Sequence, residues 1–575
     1  DMKKQYMWPS KWGKPSACGD CGAISSNSSY ATHAGLEILR RGGNAFDAAV
    51  AVSLALSVVE PHHSGIGGGC FCLIYSKDRN AVYALDARGT APRNATEDLF
   101  IKNGEVQDDW KDSGGQSVAI PSLLRALGVF LKDYGTMNFA EVASPAIALA
   151  KNGFGMSYTG ALTMYDESVQ SKIKKSEAFR KIYLKKDGSY YSFGEKQKNP
   201  ELAALLQSLA EKGIDAFYEG PVANQIVESV NARGGCFTKE DLSDYQPKYR
   251  EVVRTNYRGY DVVSFPPPGS GCAVIEMLNI LEHSNLYAMG HNSAESIHAI
   301  AEAMKLGFSD RSVALGDPDF VDVDVSRLTS KKHAEERYAL CNSAEAKEYA
   351  PAEGIGAKDY PGNTSHFAVM DRYGNAISMT QTVRDWFGSG IVVDGCGFVL
   401  NNAMSDFSAK SGALTSQGLA YGDANRISGG KTPLSSMSPT IVFKNEKPYL
   451  AIGAAGGPRI IIGILQGIIN AIDYDMLPEQ LVRMPYVGCL TKAQGLEVEY
   501  GISKDTLRIL KNKGHTLVQV SVDEAMSTML NSVMAREGKY YAAGTQRVDG
   551  CGGTLSMDGN FIFDGIYQVA EHDMQ

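Results

Sequence analysis

The sequence predicts a layered α+β sandwich built around one shared core. Helical periodicity dominates the first part of the chain, whereas strand-like patterns dominate from residue 364 onward. No internal repeat or low-complexity linker separates the two parts. Because helices and sheets bury their apolar faces against each other, two such parts without a boundary favour one packed structure over separate domains.

Two small-residue helices are predicted near the start of the chain. The first covers residues 30–41 and ends at Gly42-Gly43; the second covers residues 45–58 and is stopped by Pro61. Alanine and valine dominate the second helix, so it can pack closely against a sheet.

A hairpin follows, with strands predicted at residues 70–76 and 81–88. The loop before it, residues 65–69, is rich in glycine. It lacks the Lys-Ser/Thr pair of a phosphate loop, and Cys70 occupies the third glycine position of the dinucleotide-binding pattern. The sequence therefore argues against nucleotide binding at this loop.

Further elements are predicted by periodicity and turn chemistry. They are helices at residues 121–134, 201–212, 221–232 and 294–308, a strand at 257–265 and a turn at 266–269.

Residues 448–474 combine a strand, a glycine turn and an apolar helix. The strand is predicted at 448–452, the turn at 453–457 and the helix at 459–474. A glycine turn that leads into a helix exposes backbone N–H groups with a positive partial charge, which can stabilise an oxyanion or a carboxylate. A turn that only joins strand to helix would have the same pattern.

Thr364 is the most informative candidate residue. It lies in Asn363-Thr364-Ser365-His366, directly before a predicted hairpin with strands at 365–370 and 376–383. A threonine hydroxyl needs an adjacent base, and the nearest is its own α-amine, which exists only after the Asn363–Thr364 bond is cut. That amine has a pKa of about 7.7–8.0 in a free chain. The alternative is a threonine that only begins a strand.

Three further polar residues could bind a substrate. Ser435 and Ser436 are adjacent, and neighbouring hydroxyl and N–H groups can bind a carboxylate, although such a cluster is often only a loop. Asp406 could bind an ammonium group or serve as a cap or turn residue.

Composition excludes several classes of protein. The 575 residues carry a net charge of −9, with 44% apolar and 21% charged residues and a mean hydropathy of −0.19. These values are typical of a soluble globular protein and, without a basic stripe, argue against nucleic-acid binding. The longest apolar stretch, residues 48–59, is too short to span a bilayer.

The ten cysteines show no framework spacing, which favours free thiols in a reducing compartment. The close pairs Cys18/Cys21 and Cys70/Cys72 lack the further ligands of a metal site. The first residues lack the apolar segment of a signal peptide. The sequence therefore favours the cytoplasm, with export as the alternative if a leader has been removed.

A series of motifs in a fixed order resembles the γ-glutamyltransferase (γ-glutamyltranspeptidase, glutathione hydrolase) family of N-terminal nucleophile hydrolases. The motifs extend from about Gly42 to the end of the chain. They include Gly42-Gly-Asn-Ala-Phe-Asp-Ala-Ala-Val, Gly67-Gly-Gly, Leu85-Asp-Ala-Arg88-Gly-Thr-Ala-Pro92, Asp310-Arg311, Gly316-Asp-Pro-Asp-Phe320, Thr364-Ser-His366, Leu434-Ser-Ser-Met-Ser-Pro439 and Ala455-Gly-Gly457.

The resemblance implies an αββα four-layer sandwich, made as a precursor that cuts itself between Asn363 and Thr364. The products would be a large subunit, residues 1–363, and a small subunit, residues 364–575, which stay associated. Thr364 would attack the amide, Thr382 would hydrogen-bond the nucleophile, and the N–H groups of Gly456 and Gly457 would stabilise the oxyanion. The acyl group would pass to water or an amine, and neither a metal nor an organic cofactor is needed.

For substrate binding, the resemblance implies that Arg88, Ser435 and Ser436 hold the α-carboxylate of a γ-glutamyl group and that Asp406 binds its α-ammonium. Arg384 and Ala403 depart from the family pattern, in which Asn and Gln or Glu are usual. Ser405 also replaces a usual Asp.

These departures bear on which acyl group is accepted. An arginine in the pocket would repel an ammonium and attract a second carboxylate. Alternatively, Arg384 turns outward or pairs with an acid such as Asp385 or Asp406.

The family's lid loop is expected at residues 405–425. Gln417 falls where a gating tyrosine is expected, and Tyr421 is close enough to replace it.

Three functions remain open from the sequence. The first is a hydrolase or transferase for γ-glutamyl amides such as glutathione. The second is an acylase for a carboxylate-bearing acyl group without an α-ammonium, such as a glutaryl or other dicarboxylic monoamide, or a polyglutamate. The third, a processed but non-catalytic binding protein, is disfavoured by the intact set of Thr364, Thr382, Gly456 and Gly457.

Overall fold

The computed structural model describes residues 15–350, 363–410, 423–520 and 528–564. They form two large antiparallel sheets that lie face to face between two layers of helices. This is the four-layer α+β sandwich that the family resemblance implied. No helix among the described residues is long and apolar enough to cross a membrane.

The eight-stranded sheet holds the predicted hairpin at its centre. Its strands, in spatial order, are Phe561–Phe563, Cys551–Leu555, Gly22–Ser26, Asn363–Asp371, Ala376–Arg384, Gly69–Ser76, Ala81–Ala87 and Lys248–Arg250. The seven-stranded sheet has the order Ala17–Gly19, Lys539–Ala543, Met529–Arg536, Lys447–Ala455, Thr440–Lys444, Tyr260–Ser264 and Val253–Tyr257. Both sheets therefore take strands from each side of residue 363, so the two parts share one core.

The outer layers are built from apolar helices. Ser29–Arg40 and Ala45–Val59 cover the eight-stranded sheet, while Gly271–Leu281 and Arg459–Ile472 cover the seven-stranded sheet. The other helices are Asp108–Asp112, Leu123–Val129, Phe139–Asn152, Tyr158–Thr163, Glu167–Lys175, Glu177–Tyr183, Pro200–Lys212, Asp215–Tyr218, Pro221–Asn231, Lys239–Ser243, Leu286–Met289, Ala294–Ala314, Val325–Leu328, Lys331–Tyr338, Pro478–Arg483 and Lys504–Asn512.

Alternate residues of strand Gly69–Ser76 face different layers of the sandwich. Phe71 and Leu73 belong to the core between the sheets, whereas Cys70 and Cys72 pack with the helices on the other face. The strand is buried along its whole length, which explains its uninterrupted apolar sequence.

The facing surfaces of the sheets approach closely at Gly453. A Cβ at this position would lie 2.1 Å from the ring of His366 on the opposite sheet. Ser378 also donates a hydrogen bond to the carbonyl of Ile452 across the same gap, over 3.0 Å. Small and polar residues therefore fix the distance between the sheets beside Thr364.

Several element predictions need correction. Residues 257–265 are not one strand but parts of a hairpin, because Arg258 and Gly259 adopt left-handed backbone angles of +50° and +85° and reverse the chain. The strand that begins at Lys447 continues to Ala455, so only Gly456 and Gly457 form the turn. The helix predicted at 121–134 begins at Leu123 and ends in a π-helical turn, Phe130–Tyr134.

Candidate active site

Thr364 lies near the start of the central strand Asn363–Asp371, which runs unbroken through the Asn363–Thr364 bond. The register with the neighbouring strand shifts at this point, because Asn363 pairs with Arg384 and Ser365 pairs with Gln381. One residue therefore opposes two. Such an irregularity turns side chains away from the regular pleat. The Thr364 side chain is buried, at 3% exposure.

Thr382 connects Thr364 to the peptide bond before it. The Thr364 hydroxyl donates to Thr382 Oγ1 over 3.5 Å, and Thr382 Oγ1 donates to the Asn363 carbonyl over 2.6 Å. The backbone N–H of Arg384 donates to the same Thr382 oxygen over 2.8 Å. The carbonyl of the Asn363–Thr364 bond is thus polarised by the hydroxyl that also contacts Thr364.

The glycine-rich loop at residues 65–69 packs against the backbone of Thr382. A Cβ on Gly68 would lie 2.0 Å from the Thr382 carbonyl oxygen, and one on Gly67 would lie 2.0 Å from the Val399 carbonyl oxygen. These glycines therefore allow a close approach of backbones rather than cradling a phosphate.

A small cleft, with a cavity volume of about 20 Å³, opens beside Thr364. It is lined by Arg88, Thr364, Thr382, Arg384, Asp406, Ser435, Ser436, Met437, Gly457 and Ile460. Eight of these residues were candidates from the sequence, although they come from six separate segments of the chain. Met437 and Ile460 were not; each lies within three residues of a predicted site residue and adds an apolar wall.

Asp406 is held by two arginines. Arg88 forms a salt bridge to one carboxylate oxygen, and Arg384 donates to the other over 3.0 Å. Arg384 also contacts Asp385. The sequence left open whether Arg384 enters the pocket or pairs with an acid. Its side chain does both, because it lines the cleft and pairs with Asp385 and Asp406. Burial would lower the pKa of Arg384, but the two carboxylates outweigh it and raise the pKa above its ordinary value.

Ser435 and Ser436 are fixed by a buried network. The Ser435 hydroxyl accepts from the N–H of Met437 over 3.1 Å. Arg311 donates to Ser436 Oγ over 3.4 Å and to Ser270 Oγ over 2.9 Å. Arg311 was part of a sequence motif, but nothing in the sequence indicated that it reaches the serine pair.

Gly456 and Gly457 form the turn before helix Arg459–Ile472. Their φ angles are +117° and +62°, a region that favours glycine. Gly457 lines the cleft and Gly456 is its neighbour in the turn. The helix N-terminus beside them contributes positive partial charge, which suits a developing oxyanion.

Lys111 adds a positive charge that sequence patterns did not single out. Burial lowers the pKa of its ammonium to about 8, and the charge of Arg384 acts in the same direction. Asp108, Asp406 and Asp385 oppose the shift. The surroundings of Asp406 therefore contain three basic side chains.

Two positions that depart from the family pattern do not line this cleft. Ala403 is buried in a small apolar cluster, and the Ser405 hydroxyl donates to the carbonyls of Lys111 and Asn402. Both belong to the short 3₁₀ helix Ala403–Asp406, which turns the side chain of Asp406 toward the arginines.

The lid candidates Gln417 and Tyr421 lie outside the described residues. The two ends of that segment meet, because the Ser408 N–H donates to the Asn425 carbonyl over 2.9 Å. Asn425 also donates to the Asp406 carbonyl over 2.7 Å. The backbone of Asp406 is therefore held by Asn425.

Comparison with known proteins identifies the family. The model of the γ-glutamyltranspeptidase family matches residues 31–554. This chain belongs to the γ-glutamyltranspeptidase family. A glutathione hydrolase proenzyme from Escherichia coli is 38% identical over 529 residues, covering 92% of this chain and 90% of the relative.

Other relatives carry acylase names. The Acylase ACY 1 proenzyme of a Pseudomonas strain is 34% identical over 515 residues, covering 88% of this chain and 89% of the relative. The crystal structure of a cephalosporin acylase from Bacillus halodurans superposes with a TM-score of 0.84 at 27% identity, covering 96% of this chain and 99% of that one. This γ-glutamyltranspeptidase family member is thus an enzyme with the fold of an N-terminal nucleophile hydrolase.

Proposed function

We propose that this γ-glutamyltranspeptidase family member is a self-processing amide hydrolase and acyltransferase that cleaves γ-glutamyl amides through Thr364. The observation that carries the proposal is the hydrogen-bonded series Thr364–Thr382–Asn363 carbonyl beside a cleft containing Arg88 and two serines. The names of its glutathione hydrolase relatives support the choice of γ-glutamyl donors.

Processing begins when the Thr364 hydroxyl attacks the Asn363 carbonyl carbon. The Thr382 hydroxyl, 2.6 Å from the carbonyl oxygen, stabilises the negative charge that develops there. The C–N bond then breaks and an ester forms, with the proton passing to the new amine of Thr364. Water hydrolyses the ester, which leaves a chain ending at Asn363 and a chain beginning at Thr364.

Turnover uses the amine that processing releases. It accepts the proton of the Thr364 hydroxyl as the oxygen attacks the substrate amide, and later delivers that proton to the leaving amine. The N–H groups of Gly456 and Gly457 stabilise the tetrahedral oxyanion. Water or an amine then takes the acyl group and regenerates the free hydroxyl.

Substrate recognition rests on charge. Arg88, Ser435 and Ser436 bind the α-carboxylate, since a guanidinium can donate two parallel hydrogen bonds to it. Asp406 binds the α-ammonium. To make that contact, the ammonium either replaces Arg384 at the Asp406 carboxylate or shares the carboxylate with it.

A second candidate function is favoured by that salt bridge. With Asp406 already paired to Arg88 and Arg384, the cleft suits an acyl group that carries a carboxylate but no ammonium. Glutaryl and other dicarboxylic monoamides, or a polyglutamate, meet this description. The acylase names among the relatives support the same choice.

The general mechanism is tested with Thr364→Ala and Thr364→Ser. We expect the alanine variant to stay as one chain and to show no amidase activity. The serine variant should still be cut before residue 364, because it retains a hydroxyl. Denaturing electrophoresis with mass determination of both fragments reads the cleavage. Amidase activity that survives Thr364→Ala would contradict the proposal.

The donor is tested by comparing kcat/KM on γ-glutamyl anilide and glutaryl anilide, which differ only in the α-ammonium. A preference for the γ-glutamyl compound supports the first function. A preference for the glutaryl compound supports the second.

A further inference from the structure

Behind the nucleophile lies a buried cluster that the mechanism above does not use. Glu60, His62 and His63 follow helix Ala45–Val59 and are at most 2% exposed. One donor atom from each lies within 4.8 Å of the others. We propose that Glu60, His62 and His63 form a binding site for a divalent transition-metal ion of the zinc class.

The first argument is the number of polar atoms without a partner. Among the described residues, no hydrogen-bond partner contacts Glu60 Oε1, His62 Nε2 or either ring nitrogen of His63. Leaving a buried polar group unsatisfied costs about 1–3 kcal/mol. Four such atoms at one place would be costly, and a cation bound between them would satisfy several at once.

The second argument is the chemistry of the donors. Two imidazoles and one carboxylate are a ligand set that Zn²⁺ accepts. Both imidazole rings are buried, and a neutral imidazole offers a ring-nitrogen lone pair to a metal ion.

The described residues contain two similar clusters that serve as internal comparisons. In Glu276–Asp310–His333, His333 Nε2 already bonds both carboxylates, over 3.2 and 3.0 Å. In His298–Glu302–His515, the two rings bond each other over 2.8 Å, and His298 Nε2 bonds the Asn342 carbonyl over 2.7 Å. These nitrogens are occupied, whereas those of His63 are not.

The cluster is mechanically linked to the candidate active site. The other oxygen of Glu60 accepts a hydrogen bond from Ser365 over 3.1 Å. The His63 carbonyl accepts from the Val383 N–H over 3.2 Å. A bound ion would therefore restrict the motion of the strands that carry Thr364 and Thr382, without contacting substrate. Because the site is fully enclosed, we expect the metal to enter during folding.

Metal content tests the proposal. The full chain is expressed with zinc in the medium, purified in the presence of a mild chelator and measured by inductively coupled plasma mass spectrometry. We expect about one zinc per chain in the unmodified protein, since a site formed by folding holds its ion. Glu60→Gln and His63→Gln should each lose most of it. His298→Gln, in an already satisfied cluster, should retain it.

Trp386 gives a second readout that does not need these variants. Its ring lies 4.8 Å from that of His63, centroid to centroid. Protein expressed with cobalt should show quenched Trp386 fluorescence relative to protein expressed with zinc. Trp386→Phe should keep the metal but lose the difference.

Absence of metal from the unmodified protein, or equal metal in Glu60→Gln and His63→Gln, would overturn the proposal. A metal-containing protein without the cobalt-dependent change at Trp386 would also overturn it.

Discussion

Arg384 Nε donates to one carboxylate oxygen of Asp406 over 3.0 Å, while Arg88 forms a salt bridge to the other. The carboxylate expected to receive a substrate ammonium is therefore already neutralised. Two unit charges about 4 Å apart interact by about 4 kcal/mol at an effective dielectric constant of 20. An ammonium at Asp406 would thus be attracted by the carboxylate and repelled by Arg384 at similar strength.

Replacing Arg384 with asparagine should restore selectivity for the ammonium. Asparagine removes the competing charge but can still accept or donate a hydrogen bond. We expect Arg384→Asn to raise the ratio of kcat/KM for γ-glutamyl anilide over glutaryl anilide by at least about tenfold, which corresponds to about 1.4 kcal/mol. An unchanged ratio would show that bound substrate does not sense Arg384.

Asp385→Asn is the matched control for that experiment. It removes the other acid that contacts Arg384 and leaves the arginine in the cleft. The ratio should then fall or stay level, because the positive charge near Asp406 is less compensated. A rise as large as that in Arg384→Asn would assign the effect to loss of the ion-pair network rather than to the arginine.

Thr382→Val should slow self-cleavage. Valine has nearly the same shape but lacks the hydroxyl that donates to the Asn363 carbonyl and accepts from the Thr364 hydroxyl and the Arg384 N–H. We expect cleavage to slow by at least about tenfold, since one hydrogen bond to a developing oxyanion contributes about 2.7–4 kcal/mol in other enzymes. A time course of fragment appearance on denaturing gels measures the rate.

Thr380→Val controls for removing a buried hydroxyl from the same strand. Thr380 Oγ1 bonds His366 over 2.9 Å and is not part of the series that reaches Asn363. This variant should lose stability but cleave at close to the original rate. Equal slowing in both variants would attribute the effect to strand stability.

Local patterns were sufficient to predict the central hairpin. Two apolar-rich runs flank a turn segment, and Asp371 closes the turn by accepting from the N–H groups of Tyr373 and Asn375, each over 2.9 Å. The predicted strand at residues 257–265 failed because Arg258 and Gly259 form a turn of only two residues, with Tyr257 paired to Tyr260 across it. A two-residue turn is hidden when the apolar pattern continues through it.

The cleft was predictable only where motifs mark it. Thr364, the serine pair and the glycine turn stand out as local patterns. Lys111 and Arg311 do not, because long-range packing brings them to the site. The pairing of Arg384 with Asp406 also depends on how two distant segments meet. Such contacts are properties of the folded chain that no sequence spacing reports.

Gly68→Ala should disrupt the support behind Thr382, because the new methyl group would lie 2.0 Å from the Thr382 carbonyl oxygen. We expect a loss of roughly 1–3 kcal/mol in the free energy of unfolding, as for other overpacked sites, together with slower cleavage. Gly65→Ala is the control in the same loop, since its methyl group would meet Ser57 at 3.8 Å, an ordinary contact. Urea unfolding measures the stability of each glycine variant when it also carries Thr364→Ala and so stays uncleaved. Equal free energies of unfolding for Gly68→Ala and Gly65→Ala would contradict the role given to Gly68.

Stability should fall with rising pH through the Glu276–Asp310–His333 cluster. Burial would lower the pKa of His333, but hydrogen bonds to Asp310 and Glu276 outweigh it and raise the pKa to about 9. Burial raises the pKa of Glu276 to about 8. Both groups thus bind protons more tightly in the folded state than in the unfolded state, where their pKa values are about 6.5 and 4.3.

The stabilising contribution of His333 is therefore complete below about pH 6.5 and lost by about pH 9, and that of Glu276 is lost between about pH 4.3 and 8. We expect Tm to decrease from pH 6 to pH 9, and the double variant Glu276→Gln/His333→Gln to show a smaller decrease. His515→Gln should keep the original slope, because burial lowers the pKa of His515 to about 3 and its ring stays neutral throughout this range. A slope in the double variant as steep as in the unmodified protein would show that the cluster does not control the pH dependence.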